Sequence, residues 1–173
     1  MSRFTGKLGL VLLDNRTHPS TRAGRSLWGV QRELTYEAGD ARDLITVPRG
    51  FVTDLASIPR PVWTIYPPDG PWVKAAVIHD FLYFTAGDGI WFKHRGVTRT
   101  TPYERREADD IFREAMADRG IGATDRSAIW AAVRLGGGKA WGRWRRGGPG
   151  AEVAETPIQP ASAFDPHDDF GSA

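Results

Sequence analysis

At 173 residues the chain has the length of one domain, and its 40% hydrophobic and 11% aromatic content is enough for a packed core. It has no cysteine, which excludes disulfides, thiolate metal sites and a thiol nucleophile. The net charge of +2 is unevenly spread: residues 151–173 carry Glu152, Glu155, Asp165, Asp168 and Asp169 with no Lys or Arg, which leaves +7 on the first 150. No apolar run reaches 18 residues, and the start, Met1-Ser2-Arg3-Phe4, lacks the apolar stretch of a signal peptide. A soluble product of cytoplasmic synthesis without a membrane span is therefore expected.

In chain order, Lys7–Leu13 reads as a short apolar strand, and Asn15–Gly24 as polar turn. Residues 26–37 alternate, with Trp28, Val30, Leu34 and Tyr36 on one side and Arg32 as the exception, which predicts one half-buried strand. Ala38-Gly39-Asp40 is a turn, and Leu44–Val47 begins another strand. Prolines at 59, 61, 67, 68 and 71 then stiffen an irregular loop over 51–71.

A helix is expected from Pro71-Trp72 to Gly87-Asp88-Gly89. At 100° per residue Trp72, Ala76, His79, Asp80 and Tyr83 share a face, while the other faces carry Val73, Val77, Ile78, Phe81 and Leu82. A helix apolar nearly all round is a buried one. A second helix is predicted over about 102–119, opened by Thr101-Pro102. Its apolar stripe is Ala108, Ile111, Phe112, Ala115 and Met116, with Asp109 at the stripe's edge and Asp110 turned away. A third starts at Thr124 as N-cap, with Asp125 beside it, and ends at Gly136-Gly137-Gly138. The pattern is α+β: a small antiparallel sheet, a proline-rich loop and three helices. A globular domain over 1–138, with its core at 44–135, precedes an extended arm at 139–173.

Several side chains could carry chemistry. His79, with Asp109 brought from the second helix, would form a dyad in which the carboxylate orients the imidazole as a general base. Asp80 and Tyr83 stand beside it. Alternatively His79, Asp80 and Asp54 could ligate a divalent metal that activates water. The plain reading is that His79 and Tyr83 satisfy each other inside the core. Thr53, Asp54 and Ser57 form a supporting loop whose side chains bind backbone donors. Arg60, between two prolines, could pair with Asp80 or Asp54. The run Lys139–Arg146 interleaves cations and indoles, so Trp141, Arg143, Trp144, Arg145 and Arg146 suit a protein partner more than nucleic acid. His18, His94 and His167 read as surface residues.

Four ordered boxes carry a family resemblance: Gly50-Phe51-Val52-Thr53-Asp54-Leu55-Ala56-Ser57-Ile58-Pro59-Arg60, Ala75–Tyr83, Glu107–Phe112 and Ala132-Val133-Arg134-Leu135-Gly136. Over about residues 40–142 the chain resembles a domain-of-unknown-function family found widely in tailed phages and prophages. The resemblance implies a phage origin and a virion or tail-assembly role. The protein would then be made in the host cytoplasm, join an oligomeric assembly and bind other phage structural proteins through its C-terminal arm. The His79-Asp80-x-x-Tyr83 helix is also similar to that of secreted-class phospholipases, which bring an Asp from an antiparallel helix to the histidine. That likeness implies a hydrolase of cell-envelope lipid or peptidoglycan, which a virion could carry. The disulfides and glycine-rich calcium loop of those enzymes are missing here.

Overall fold

Alternation over residues 34–47 has the consequence its spacing dictates. In the computed structural model, which describes residues 3–13, 27–55, 70–85, 99 and 101–141, strands β4 (Leu34–Ala38) and β5 (Asp43–Val47) form an antiparallel hairpin. Leu34 pairs with Val47 and Tyr36 with Ile45, and all four are fully buried. On the opposite face Thr35 and Thr46 share a hydroxyl hydrogen bond of 2.9 Å. Gly39, at φ 65°, makes the turn in a region that glycine enters without strain.

β1 (Phe4–Thr5) pairs with β4 on its other side, giving a three-stranded sheet in the order β1-β4-β5. Arg3 holds it there: its backbone N–H donates to Asp118 at 3.2 Å and its guanidinium pairs with Glu114. A second three-stranded sheet runs β2-β3-β6, from Leu10–Leu12, Trp28–Val30 and Val52–Thr53. The single strand expected over 26–37 is thus two strands in two sheets. The chain changes sheet across exposed Gln31 and Arg32, so Arg32, the exception in the alternation, marks the break.

Helix α1 (Val73–Thr85) is buried on nearly every side and packs on β5, β6 and the helix Arg105–Asp118, as its all-round apolarity requires. α2 (Arg105–Asp118) turns Ala108, Asp109, Ile111, Phe112, Ala115 and Met116 inward. It starts three residues later than Thr101-Pro102 suggests. Glu104 is the N-cap, and its backbone N–H is taken by the Glu107 carboxylate at 2.7 Å in a capping box. α3 (Ala123–Gly136) is capped by Gly122 rather than Thr124, whose side chain is exposed; Asp125 then sits in the first turn, against the helix dipole. Only Ile129 and Val133 of α3 are buried, so the helix is held by a narrow seam.

A 3₁₀ turn, Gly137–Lys139, follows. Ala140 and Trp141, expected to begin an extended arm, pack against the core instead. The architecture is α+β. Among the described residues no helix is long and apolar enough to cross a membrane.

Candidate active site

His79 and Tyr83 lie one turn apart on α1, so both side chains leave the same face, toward α2. There the carboxylate of Asp109 receives them together. His79 Nε2 is 2.8 Å from Oδ1, and the Tyr83 hydroxyl donates to the same oxygen at 2.7 Å. The second oxygen, Oδ2, accepts from Arg134 Nη1 of α3 at 2.6 Å. Asp109 is fully buried and His79 is 2% exposed. One carboxylate therefore ties three helices together.

Two aromatic rings pack on the imidazole. The Tyr83 ring lies 4.2 Å from it and the Phe112 ring 4.7 Å, centroid to centroid, both tilted. Trp141 meets Tyr83 edge-on at 5.1 Å, so this indole, expected to face a partner, is half-buried against its own chain. Gly137 allows Tyr83 to reach its place: a Cβ there would stand 2.6 Å from the phenol oxygen. Gly137→Ala should displace Tyr83 and cost about 1–3 kcal/mol of stability, measured by urea unfolding.

Burial works to raise the Asp109 carboxyl, but hydrogen bonds from His79, Arg134 and Tyr83 outweigh it and keep the group below its ordinary range. Burial lowers His79, against the opposing pull of Asp109. Burial, then the hydrogen bond to Asp109, push the Tyr83 phenol far upward, so it remains a donor. The stable arrangement is an ionised Asp109 beside a neutral His79. An ionised carboxylate can only accept, so Nε2 carries the proton and Nδ1 carries the lone pair.

This has a consequence for acid stability. Both groups have folded-state values below their unfolded ones, so the unfolded chain binds the extra protons as pH falls, and acid destabilises the fold. His79 contributes to that loss below its ordinary value of 6.5, and Asp109 below 3.8. Urea midpoints measured from pH 8 to pH 4 should show a decline starting near pH 6.5, and His79→Gln should remove that upper limb.

Asp80, the next residue on α1, points elsewhere. Its carboxylate accepts the Thr53 hydroxyl, and Thr53 Oγ1 in turn accepts the Leu55 backbone N–H at 3.0 Å. Asp54 is half-buried. Among the described residues no group of three or more His, Asp or Glu is placed to hold a metal, so His79, Asp80 and Asp54 do not gather into the expected ligand set. The physical reason is that Nε2 of His79 turns to Asp109 while Asp80, 100° further round the helix, turns to β6. Ser57, Arg60, Arg143, Trp144, Arg145 and Arg146 lie outside the described residues.

Asp110 is exposed, as the helical wheel predicts, and accepts the Trp130 indole N–H at 3.0 Å. Arg134 and Arg105 were not foreseen as part of the site. Arg105 could have been found from its i, i+4 spacing to Asp109, and Arg134 from its place in the fourth box. Depressions of about 410 and 220 Å³ flank α2, the smaller one between it and the β4–β5 turn, and His79 lines neither.

The structure brings the boxes together. Thr53 of the first reaches Asp80 of the second, whose His79 and Tyr83 reach Asp109 of the third, which binds Arg134 of the fourth. Neither the curated proteins nor the solved structures offer a match to this chain. The family model described as protein of unknown function (DUF1353) matches residues 28–133, more than half of the chain, and the chain belongs to that family.

Proposed function

We propose that the protein is a hydrolase of cell-envelope lipid esters, carried by a tailed phage, with His79 as general base and Asp109 as its orienting partner. The carrying observation is the bond from His79 Nε2 to Asp109 at 2.8 Å, the contact by which a carboxylate orients an imidazole as a general base. With the ring so oriented, a water would give up a proton to the imidazole as its oxygen attacks the ester carbonyl. The imidazolium is stabilised by the buried carboxylate and then returns the proton to the leaving alkoxide, releasing acid and alcohol. Because His79 is 2% exposed, turnover also requires the surface over the ring to give way to substrate.

A second reading is favoured by that burial and by Arg134, which already balances the charge of Asp109. In this reading the cluster is a structural tie and the protein is a virion or tail-assembly component whose work is binding neighbouring subunits. One experiment separates the two. Fatty-acid release from phospholipid vesicles, and solubilisation of peptidoglycan, are measured for the wild type and His79→Asn, with and without added divalent cations. The hydrolase reading expects ester turnover that falls by about 10²–10⁴-fold in a variant that still melts cooperatively. No turnover by the wild type, or equal turnover by the variant, would overturn it. Detection of the chain in purified particles by mass spectrometry tests the virion placement, and absence from particles and assembly intermediates would sink that part.

A further inference from the structure

Asp109 attracts more cationic charge than it can neutralise. Arg134 donates to Oδ2 at 2.6 Å, while Arg105, one turn before Asp109 on α2, brings Nε to 3.9 Å from the same oxygen. That is too long for a hydrogen bond. Arg105 instead gives Nη2 to the backbone carbonyl of Arg134 at 2.5 Å. The neighbouring Asp110 does not redress the balance, since Arg106 stands 3.8 Å from it. Among the described residues two guanidiniums thus face the one carboxylate of Asp109, while exposed Arg106 and Asp110 pair with each other outside this corner.

The two guanidiniums nearest Asp109 are open to water, Arg105 by 25% and Arg134 by 30%. Each retains N–H donors that no described residue accepts: Nη1 of Arg105, and Nε and Nη2 of Arg134. Glycine makes room for Arg105 there. Gly136, Gly137 and Gly138 close α3, and a Cβ on Gly138 would stand 2.7 Å from Arg105 Nη1. Like charges drawn to one carboxylate oxygen repel, and these two come from different helices. Such a pair is matched by a tetrahedral oxyanion, which offers an oxygen to each guanidinium, better than by a carboxylate, which one arginine can satisfy alone.

We propose that Arg105 and Arg134 form a binding site for a phosphate group, carried by a soluble phosphate ester or by a lipid headgroup, at the corner where α2 meets the end of α3. The site does not depend on His79 turning over a substrate. It places a phosphate beside the carboxylate that orients the histidine, so in a hydrolase it would anchor the substrate, and in an assembly protein it would anchor the chain.

The test uses the full chain and inorganic phosphate, with the arginine Nε–H signals followed by ¹H–¹⁵N NMR at constant ionic strength. Saturable shifts of the Arg105 and Arg134 signals are expected. Arg105→Gln should weaken binding by about tenfold or more. Gly138→Ala should weaken it as well, by crowding Arg105 without changing charge. Arg106→Gln, which removes the same charge from an exposed side chain, should leave binding unchanged. Absence of saturable shifts, or equal losses in Arg105→Gln and Arg106→Gln, would overturn the proposal. Co-sedimentation with phosphatidylglycerol against phosphatidylcholine vesicles assigns the source. A preference for the former that is lost in Arg105→Gln identifies a lipid headgroup, and phosphate binding without it identifies a soluble ester.

Discussion

Asp109→Ala should remove about 3–5 kcal/mol from the stability of the fold, a large share of the whole for a domain of this size. The magnitude follows from what the substitution strands rather than from what it deletes. His79 Nε2, the Tyr83 hydroxyl and Arg134 Nη1 all end on this carboxylate. With it gone, two buried donors and one guanidinium lose their acceptor, and no water has free access because Asp109 is fully buried. Asp109→Asn keeps the volume and one acceptor oxygen but turns an amide toward a donor, so its cost should be smaller and still above about 1 kcal/mol. Replacing the whole polar set, with His79→Leu, Tyr83→Phe and Asp109→Leu together, should recover much of the loss, since no donor is then left unmet except the partly exposed Arg134. Urea unfolding of the single and triple variants measures these differences. A loss below about 1 kcal/mol for Asp109→Ala would show that the carboxylate is not the tie described here.

Phe112→Ala should cost a similar about 3–5 kcal/mol, for a different reason. The ring is fully buried at the centre of α2's apolar stripe, and the space it leaves is bounded by rigid helices that cannot close over it. The substitution also reaches the candidate site. Phe112 covers one face of the imidazole at 4.7 Å and so supplies part of the burial that lowers His79. Opening that face to water should move the histidine back toward 6.5, detectable by NMR titration. Phe112→Leu, which refills most of the volume, should cost less than about 1.5 kcal/mol and move His79 little.

The pairing of His79 with Asp109 was legible because two periodic signals agreed. α1 is apolar all round, so polar residues on it must meet partners, and the wheel of α2 set Asp109 at the edge of its stripe and Asp110 outside. The hairpin of β4 and β5 was legible for the same reason, since its inward side chains recur every second residue. The break between β3 and β4 was not. Arg32 was its only sign, and because Val30 and Leu34 on either side both remain buried, the alternation reads through that exception as one strand. β1 and β6 have two residues each and are too short for any period; their partners define them. The start of α3 was misread because a threonine with an aspartate beside it resembles a cap, while an extended glycine leaves no side-chain signature. Arg105 and Arg134 look solvated in sequence, and only the meeting of α2 with α3 gives them a carboxylate to share. Trp141 sits in a run whose composition suggests an interface, yet contact with Tyr83 decides its place.

The candidate site is defined by one protonation state: an ionised Asp109 holding a neutral His79 by its Nε2–H. ¹⁵N NMR of histidine-labelled protein near pH 7 reads both ring nitrogens directly. A protonated Nε2 and an unprotonated Nδ1, persisting well below pH 6.5 and lost on Asp109→Asn, is the expected result. An imidazolium at neutral pH, or a proton on Nδ1 with Nε2 bare, would contradict it.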